Sequence, residues 1–211
     1  MSSTDDDWAS FNRRRQPRPP RELLRRTLGC IEYAGAEPGV AVDLGCGSGA
    51  DALEMLQAGW TVHAVDADPV GLALLAESAG PELAARLQVH QARFEDFEFP
   101  ACDLVWAGYS LPFCPATALP AVWQSIVGAL RPNGRFAGDF FGDRHGFSGS
   151  DDVHVLTEAA LRSMLAGLSI EAFDTEDGWR PSGGVITRWH AFGVSAIRNP
   201  KPPHPLAHDG A

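Results

Sequence analysis

From residue 40 onward, short apolar runs alternate with stretches whose apolar positions recur every three or four residues, the marks of buried strands and of amphipathic helices. "GVAVDL" reads as a strand, "ADALEMLQAG" as a helix closed by Gly59, "WTVHAVD" as a strand, and "DPVGLALLAESAG" as a helix that Asp68 caps and Pro69 opens. "LQVHQARF" and "CDLVWAGY" follow as strands, then "ALPAVWQSIVGALRPNG" as a helix stopped by Pro132 and Gly134, and "RFAGDFFG" as a fifth strand. Ahead of them, "RELLRRTLGCIEYA" sets Leu23, Leu24, Leu28 and Ile31 at helical spacing behind Pro20, a leading helix. At the far end a helix capped by Thr157 precedes "SIEAFDTEDGW" and "GVITRWHAFGVSAIR", two β-rich runs separated by a loop with Pro181, Gly183 and Gly184 that predicts an antiparallel hairpin. This order predicts an α/β three-layer sandwich: a mostly parallel, seven-stranded sheet that ends in a C-terminal antiparallel hairpin strand.

At 211 residues the chain suits one core, and 45% apolar with 21% charged residues is ordinary for a folded protein. Its organisation reads as a flexible, Arg/Pro-rich arm over 1–19, one domain over 20–198 and a disordered tail over 199–211. The net charge of −10 is uneven, because residues 1–26 hold seven arginines against four acids and leave the body strongly acidic. An acidic body lacks phosphate-neutralising surface, so no nucleic-acid partner is expected. Cys30, Cys46, Cys102 and Cys114 show no metal-type spacing and no disulfide-scaffold density. The start at Asp5-Asp6-Asp7 lacks the apolar segment of a signal peptide, and no run approaches a membrane span. A cytoplasmic protein without membrane or metal is the expectation, as monomer or homodimer.

"VDLGCGSGAD" changes the picture. Gly45, Gly47 and Gly49 remove three β-carbons between the first strand and its helix, where free backbone N–H groups meet ligands in open α/β sheets. Asp66, 21 residues after Gly45 at the end of the second strand, can accept both ribose hydroxyls of an adenosine-type cofactor. By spacing alone "GCGSGA" also satisfies the dinucleotide pattern, which keeps a nicotinamide-dependent oxidoreductase open; against it, only one mononucleotide-type half is visible.

The loop, Asp43 two residues before it, "VDADP" and "LRPNGRF" together resemble the Rossmann-like, class I S-adenosylmethionine (SAM)-dependent methyltransferases over roughly residues 38–198. The resemblance implies that Gly45, Cys46, Gly47 and Gly49 border the methionine and ribose of SAM. Asp43 would organise the loop or face the methionine amino group, Asp66 would hold the ribose, and Ala67, Phe94 and Glu95 would lie around the adenine, with Gly108 at the tip of strand four. Arg93 stands where the family commonly has an acid, which leaves the adenine amine without an assigned partner.

Methyl transfer needs alignment and exclusion of water more than strong bases, so an aromatic, sparsely polar site is expected. "GYSLPFC" supplies Tyr109 and Phe113 there, and lacks the tetrad with paired prolines of DNA-amine methyltransferases. With "FFGDRHGF" and "TRWHAF" it resembles the bacterial tellurite-resistance-type small-molecule methyltransferases, which implies a small acceptor such as a thiol or a chalcogen oxyanion. Candidate catalytic residues are Tyr109, His145 and His190; candidate acceptor contacts are Arg18, Phe113, Asp143 and Arg144. His190, among apolar neighbours, reads more readily as a satisfied core histidine, and "GDRH" equally as a polar connector. A SAM-binding protein without turnover is the alternative outside enzymology.

Overall fold

The computed structural model describes residues 18–182 and 185–199. Helix α1 (Glu22–Tyr33) precedes β1 (Val40–Leu44), α2 (Ala50–Gln57), β2 (Thr61–Asp66), α3 (Pro69–Ala84), β3 (Leu87–Gln91) and β4 (Cys102–Ala107). Then come α4 (Leu119–Ala129), β5 (Leu130–Gly142), β6 (Val155–Leu156), α5 (Glu158–Met164), β7 (Ser169–Ser182) and β8 (Val185–Ile197). The sheet runs β3-β2-β1-β4-β5-β8-β7, with β8 antiparallel to both neighbours and the other pairs parallel. This is the predicted Rossmann-like sandwich with seven strands in line. An eighth, β6, is a two-residue strand beside the end of β5.

Each element follows from local chemistry. The Asp68 carboxylate accepts the N–H groups of Val70 and Gly71, and Pro69 opens α3. The Thr157 hydroxyl accepts the Ala160 N–H at 3.1 Å as the cap of α5. Helix α4 stops at Ala129, earlier than the run to Pro132 predicts, because a residue before proline is pushed out of the helical region. "LRPNG" therefore begins β5 instead of ending a helix, with Asn133 at φ 65° in its turn.

Two apolar layers clasp the sheet. On one face α1, α2 and α3 bury Leu24, Met55, Leu56 and Leu75 against Leu104 and Trp106; on the other, α4 and α5 bury Ile126 and Leu161 against Leu44, Phe136 and Phe192. The carboxyl ends of every strand but β8 point one way. Pairing of β5 with β8 ends at Phe141 and Ala191, whereas β7 and β8 stay paired as far as Ser182 and Val185. The hairpin thus overhangs the carboxyl edge, and carries Arg180, Trp189 and His190 over the tips of β4 and β5. Its tip, Gly183 and Gly184, the arm as far as residue 17 and the tail from 200 lie outside the described residues.

Candidate functional site

The glycine loop leaves β1 with Gly45, Gly47 and Gly49 all at positive φ, 78°, 52° and 85°. Two of these glycines face protein. A β-carbon on Gly45 would stand 2.3 Å from Ser110 Cβ, and one on Gly49 2.3 Å from Leu75 Cδ1. Close packing therefore demands part of what the sequence suggests a ligand demands.

Backbone N–H groups of Gly45 and Cys46 donate to the Val65 carbonyl, and that of Gly47 donates to Asp66 Oδ2 at 2.7 Å. Asp66 Oδ1 takes the Asp68 N–H at 2.9 Å. One carboxylate thereby joins the first loop to the tip of β2, partly open to solvent. Burial pushes this carboxyl above the ordinary range, and the backbone donors pull against it. Phe94, in a short 3-10 turn, borders Gly45, and Ala67 lies exposed beyond Asp66. Glu95 lies at the outer rim, held by Arg93 at 2.9 Å, so the departure from the family pattern has a local partner of its own.

Asp43 is buried, and its Oδ2 has no hydrogen-bond partner among the described residues. Burial first, then the charges of Asp51 and Asp66, push its carboxyl well above the usual range, against Arg18 and Arg21. An orphaned acid beneath a bare loop fits an ammonium group such as that of a methionine. Cys46 is buried too, and burial next to Asp43 holds its thiol protonated, which removes it as a nucleophile.

The segment before α1 closes over this floor. Arg18 grips Asp51 through two hydrogen bonds of 3.0 and 2.5 Å, and the Arg21 N–H donates to the same carboxylate at 2.9 Å. Arg18 is thus tied to α2, a role its position in the arm does not suggest. Burial raises the Asp51 carboxyl, but the Arg18 bonds and charge and the Arg21 N–H outweigh it, so the net shift is downward. A lowered carboxyl contributes stability that is present above its unfolded value of about 3.9 and lost as pH falls through the folded one. Asp51→Ala is expected to destabilise the fold by about 2–3 kcal/mol at pH 7, less than a sealed ion pair because Arg18 can turn to solvent. Urea denaturation checks it: the gap to the parent protein should narrow below about pH 4, and a gap independent of pH would refute the assignment.

Beyond the β4 tip, Tyr109 holds φ 55°, a strained value for a tyrosine. Arg21 lies 4.6 Å above its ring, and the Trp189 indole N–H points to its hydroxyl at 3.4 Å. Burial, then Asp139, push its phenol up to about 12, so it stays neutral. Gly108 is bare for the same arginine, since a β-carbon there would meet Arg21 Nε and Trp106 at 2.8 Å.

Phe141 gathers the rest: His145 stacks on it at 3.9 Å, Trp189 and Tyr109 meet it at 5.5 and 5.6 Å, and Phe113 at 6.0 Å. Arg180 covers Trp189 at 3.8 Å. His145 Nδ1 accepts the Phe147 N–H, and its buried Nε2 has no hydrogen-bond partner among the described residues. Burial, with Arg180 nearby, pushes the imidazole down to about 4, which keeps it neutral.

His190, Asp143 and Arg144 stand apart as a brace. The Arg144 N–H donates to His190 Nδ1 and its guanidinium lies 3.1 Å from Nε2, while Arg144 also pairs with Asp177. Asp143 is half exposed, 3.4 Å from the same ring. The reading of His190 as a satisfied core residue describes its surroundings best.

Asp51, Asp139, Arg21, Phe141, Arg180 and Trp189 are the residues around the candidate site that sequence reasoning missed. Among the described residues no three His, Cys, Asp or Glu side chains come together to hold a metal, and no helix is long and apolar enough to cross a membrane. A groove of about 540 Å³ between Tyr33, Arg135 and Glu171 lies at the opposite end of β5, away from these tips.

The family described as methyltransferase domain matches residues 41–134, from β1 through the start of β5, and so spans the glycine loop and Asp66. Over these residues, just under half of the chain, the sequence matches a methyltransferase domain. No curated protein matches the chain by sequence. Its fold is similar to that of TehB from Haemophilus influenzae, at 14% identity and a TM-score of 0.69, over 82% of this chain and 62% of that one. It is similar to Burkholderia thailandensis 1,6-didemethyltoxoflavin-N1-methyltransferase with bound 1,6-didemethyltoxoflavin and S-adenosylhomocysteine (SAH), at 23% identity, a TM-score of 0.61 and coverage of 85% and 79%. Magnesium protoporphyrin IX methyltransferase from Synechocystis PCC 6803 with bound SAM is likewise similar, at 17% identity, a TM-score of 0.61 and coverage of 94% and 86%. The antiparallel β7–β8 hairpin occupies the place of a second mononucleotide half, so the dinucleotide reading loses its structural basis.

Proposed function

We propose that this methyltransferase transfers the methyl group of SAM to a small-molecule acceptor held between the tips of β4 and β5 and the overhanging hairpin, with a thiol or chalcogen oxyanion of the tellurite-resistance type as acceptor. SAM supplies a methyl carbon already activated by a sulfonium. Gly45 to Gly49 give backbone to its methionine and ribose, Asp66 holds the ribose hydroxyls, and Asp43 receives the ammonium. Tyr109, Phe141 and Trp189 align the acceptor and exclude water, and aromatic faces also favour a sulfonium. Arg21 and Arg180 supply positive charge for an anionic acceptor.

The observation that carries the reading is the Asp66 carboxylate fastened to the Gly47 N–H at the mouth of the crevice where Asp43 is orphaned. A neutral, aromatic surround suits a soft nucleophile, which needs no strong base. Isothermal titration with SAM and SAH tests the donor, and SAH release from a panel of thiols, phenols, amines and chalcogen oxyanions tests the acceptor. Binding of both ligands with turnover on thiols or oxyanions is expected. Absence of binding at millimolar ligand would overturn the donor assignment, and tight binding without turnover would favour a SAM-binding protein.

A further inference from the structure

Five buried side-chain polar atoms among the described residues have no hydrogen-bond partner: Arg21 Nε, Asp43 Oδ2, Trp106 Nε1, Asp139 Oδ2 and His145 Nε2. Four of them share one layer. Asp43 on β1 stands beside Trp106 on β4, Trp106 beside Ala137 on β5, and Asp139 follows two residues later on the same face of β5. Arg21 descends on this layer from the head of α1, against Gly108. Buried polar atoms are nearly always paired, so four orphans in one layer, two residues short of the glycine loop, describe a floor made to meet a polar or charged occupant.

Asp139 differs from the other acids there. Asp51 has Arg18, and Asp66 has two backbone donors; no salt bridge or hydrogen bond among the described residues reaches Asp139 Oδ2. The charged and titratable groups that face it are Arg21 and Arg18 from the α1 side, Asp51 from α2, Glu176 and, across Gly193, Asp174 from β7, and Tyr109 from the loop after β4. Burial pushes its carboxyl up to about 7, Arg21 and Arg18 pulling it down and Asp51 and Glu176 adding to the rise. Near neutrality a small change in nearby charge decides its ionisation.

We propose that Asp139 senses the charge of the bound donor, ionised when the sulfonium of SAM occupies the crevice above this layer and protonated when the neutral thioether of SAH does. The inference rests on the donor reading given above. In the transfer the acceptor's lone pair forms the bond to the methyl carbon, and the carbon–sulfur bond breaks with its electron pair left on sulfur. A thiol acceptor sheds its proton. The cation that kept Asp139 ionised disappears in the same event that frees this proton, and the carboxylate takes it up.

The test needs no acceptor. SAM and SAH are titrated calorimetrically from pH 6 to 8 in two buffers of different ionisation enthalpy, with the parent protein and with Asp139→Asn. The parent should release a proton on binding SAM beyond any released with SAH, and its preference for SAM over SAH should grow roughly five- to tenfold across that range. The sign follows from linkage: a ligand that favours the ionised carboxylate binds better as pH rises through the free group's value. Asp139→Asn should bind SAH as the parent does and lose the pH-dependent part of the preference. Equal proton release and equal pH dependence for both ligands would overturn the proposal, as would an Asn variant that keeps the parent's profile. If the variant fails to fold, the parent's proton release decides alone. Failure of both ligands to bind is a different result, which overturns the donor reading itself.

Discussion

Asp66→Ala is expected to raise the dissociation constant for SAM roughly ten- to a hundredfold, the loss that follows from removing charge-assisted hydrogen bonds of about 1.5–3 kcal/mol. Two contributions add here. The carboxylate is the ribose acceptor in the proposed pose, and it also fastens the Gly47 N–H and the Asp68 N–H, so its removal loosens the loop before any ligand arrives. Asp66→Asn separates them, since its single carbonyl oxygen can keep one backbone donor but cannot serve both as an acceptor. The Asn variant should fall between the parent and the Ala variant in SAM affinity and in thermal midpoint. Because burial raises the Asp66 carboxyl, affinity in the parent should fall as pH drops through that raised value, when the acid can no longer accept with both oxygens. Unchanged affinity in the Ala variant would mean that the sugar does not lie at the tip of β2.

The alternation of apolar runs discloses the architecture because parallel strands are buried on both faces and their helices on one, so each element carries its own period. The miss at "LRPNG" has a physical cause. Periodicity continues through Leu130, but Pro132 denies Arg131 the helical region, and that constraint outranks the pattern. The strand β6 left no trace, since two residues show no period and its place is set by the end of β5.

The part of the candidate site proposed for the donor was legible where chemistry is written in backbone demands: three glycines and an acid one strand later. The acceptor side was not, because its members meet through register. Trp106, Asp139 and Trp189 come from three separate strands, and no spacing along the chain relates them. A signal did exist for two residues. Asp51 lies four positions before Met55 on the buried face of α2, and Asp139 is the acid inside the apolar run "FAGDFFG". A charged residue on an otherwise apolar face marks a paired or functional group. The tie between Arg18 and Asp51 and the cover of Arg21 on Tyr109 lacked such a signal, for both depend on how α1 lies across the sheet.

Gly45→Ala is expected to abolish SAM binding at concentrations a hundredfold above the parent's dissociation constant, and to cost about 2–5 kcal/mol of stability. A β-carbon at φ 78° costs about 1–2 kcal/mol by itself, and overpacking adds about 1–3. The overpacking is specific: the new methyl would stand 2.3 Å from Ser110 Cβ, and Ser110 is pinned by its own hydroxyl bond to the Leu44 carbonyl at 2.5 Å. Neither side can yield cheaply, because retreat of the loop breaks its bonds to Val65 and Asp66, and retreat of Ser110 drags the strained Tyr109 beside it. Ser110→Gly in the Gly45→Ala background divides the two causes. Removing the facing β-carbon should restore the packing share of the stability and none of the backbone share, whereas Ser110→Gly alone should destabilise by losing the bond to Leu44. Urea denaturation of the four proteins gives the coupling energy. Strict additivity would mean that the collision with Ser110 is absent and that Gly45 is required by its backbone conformation alone.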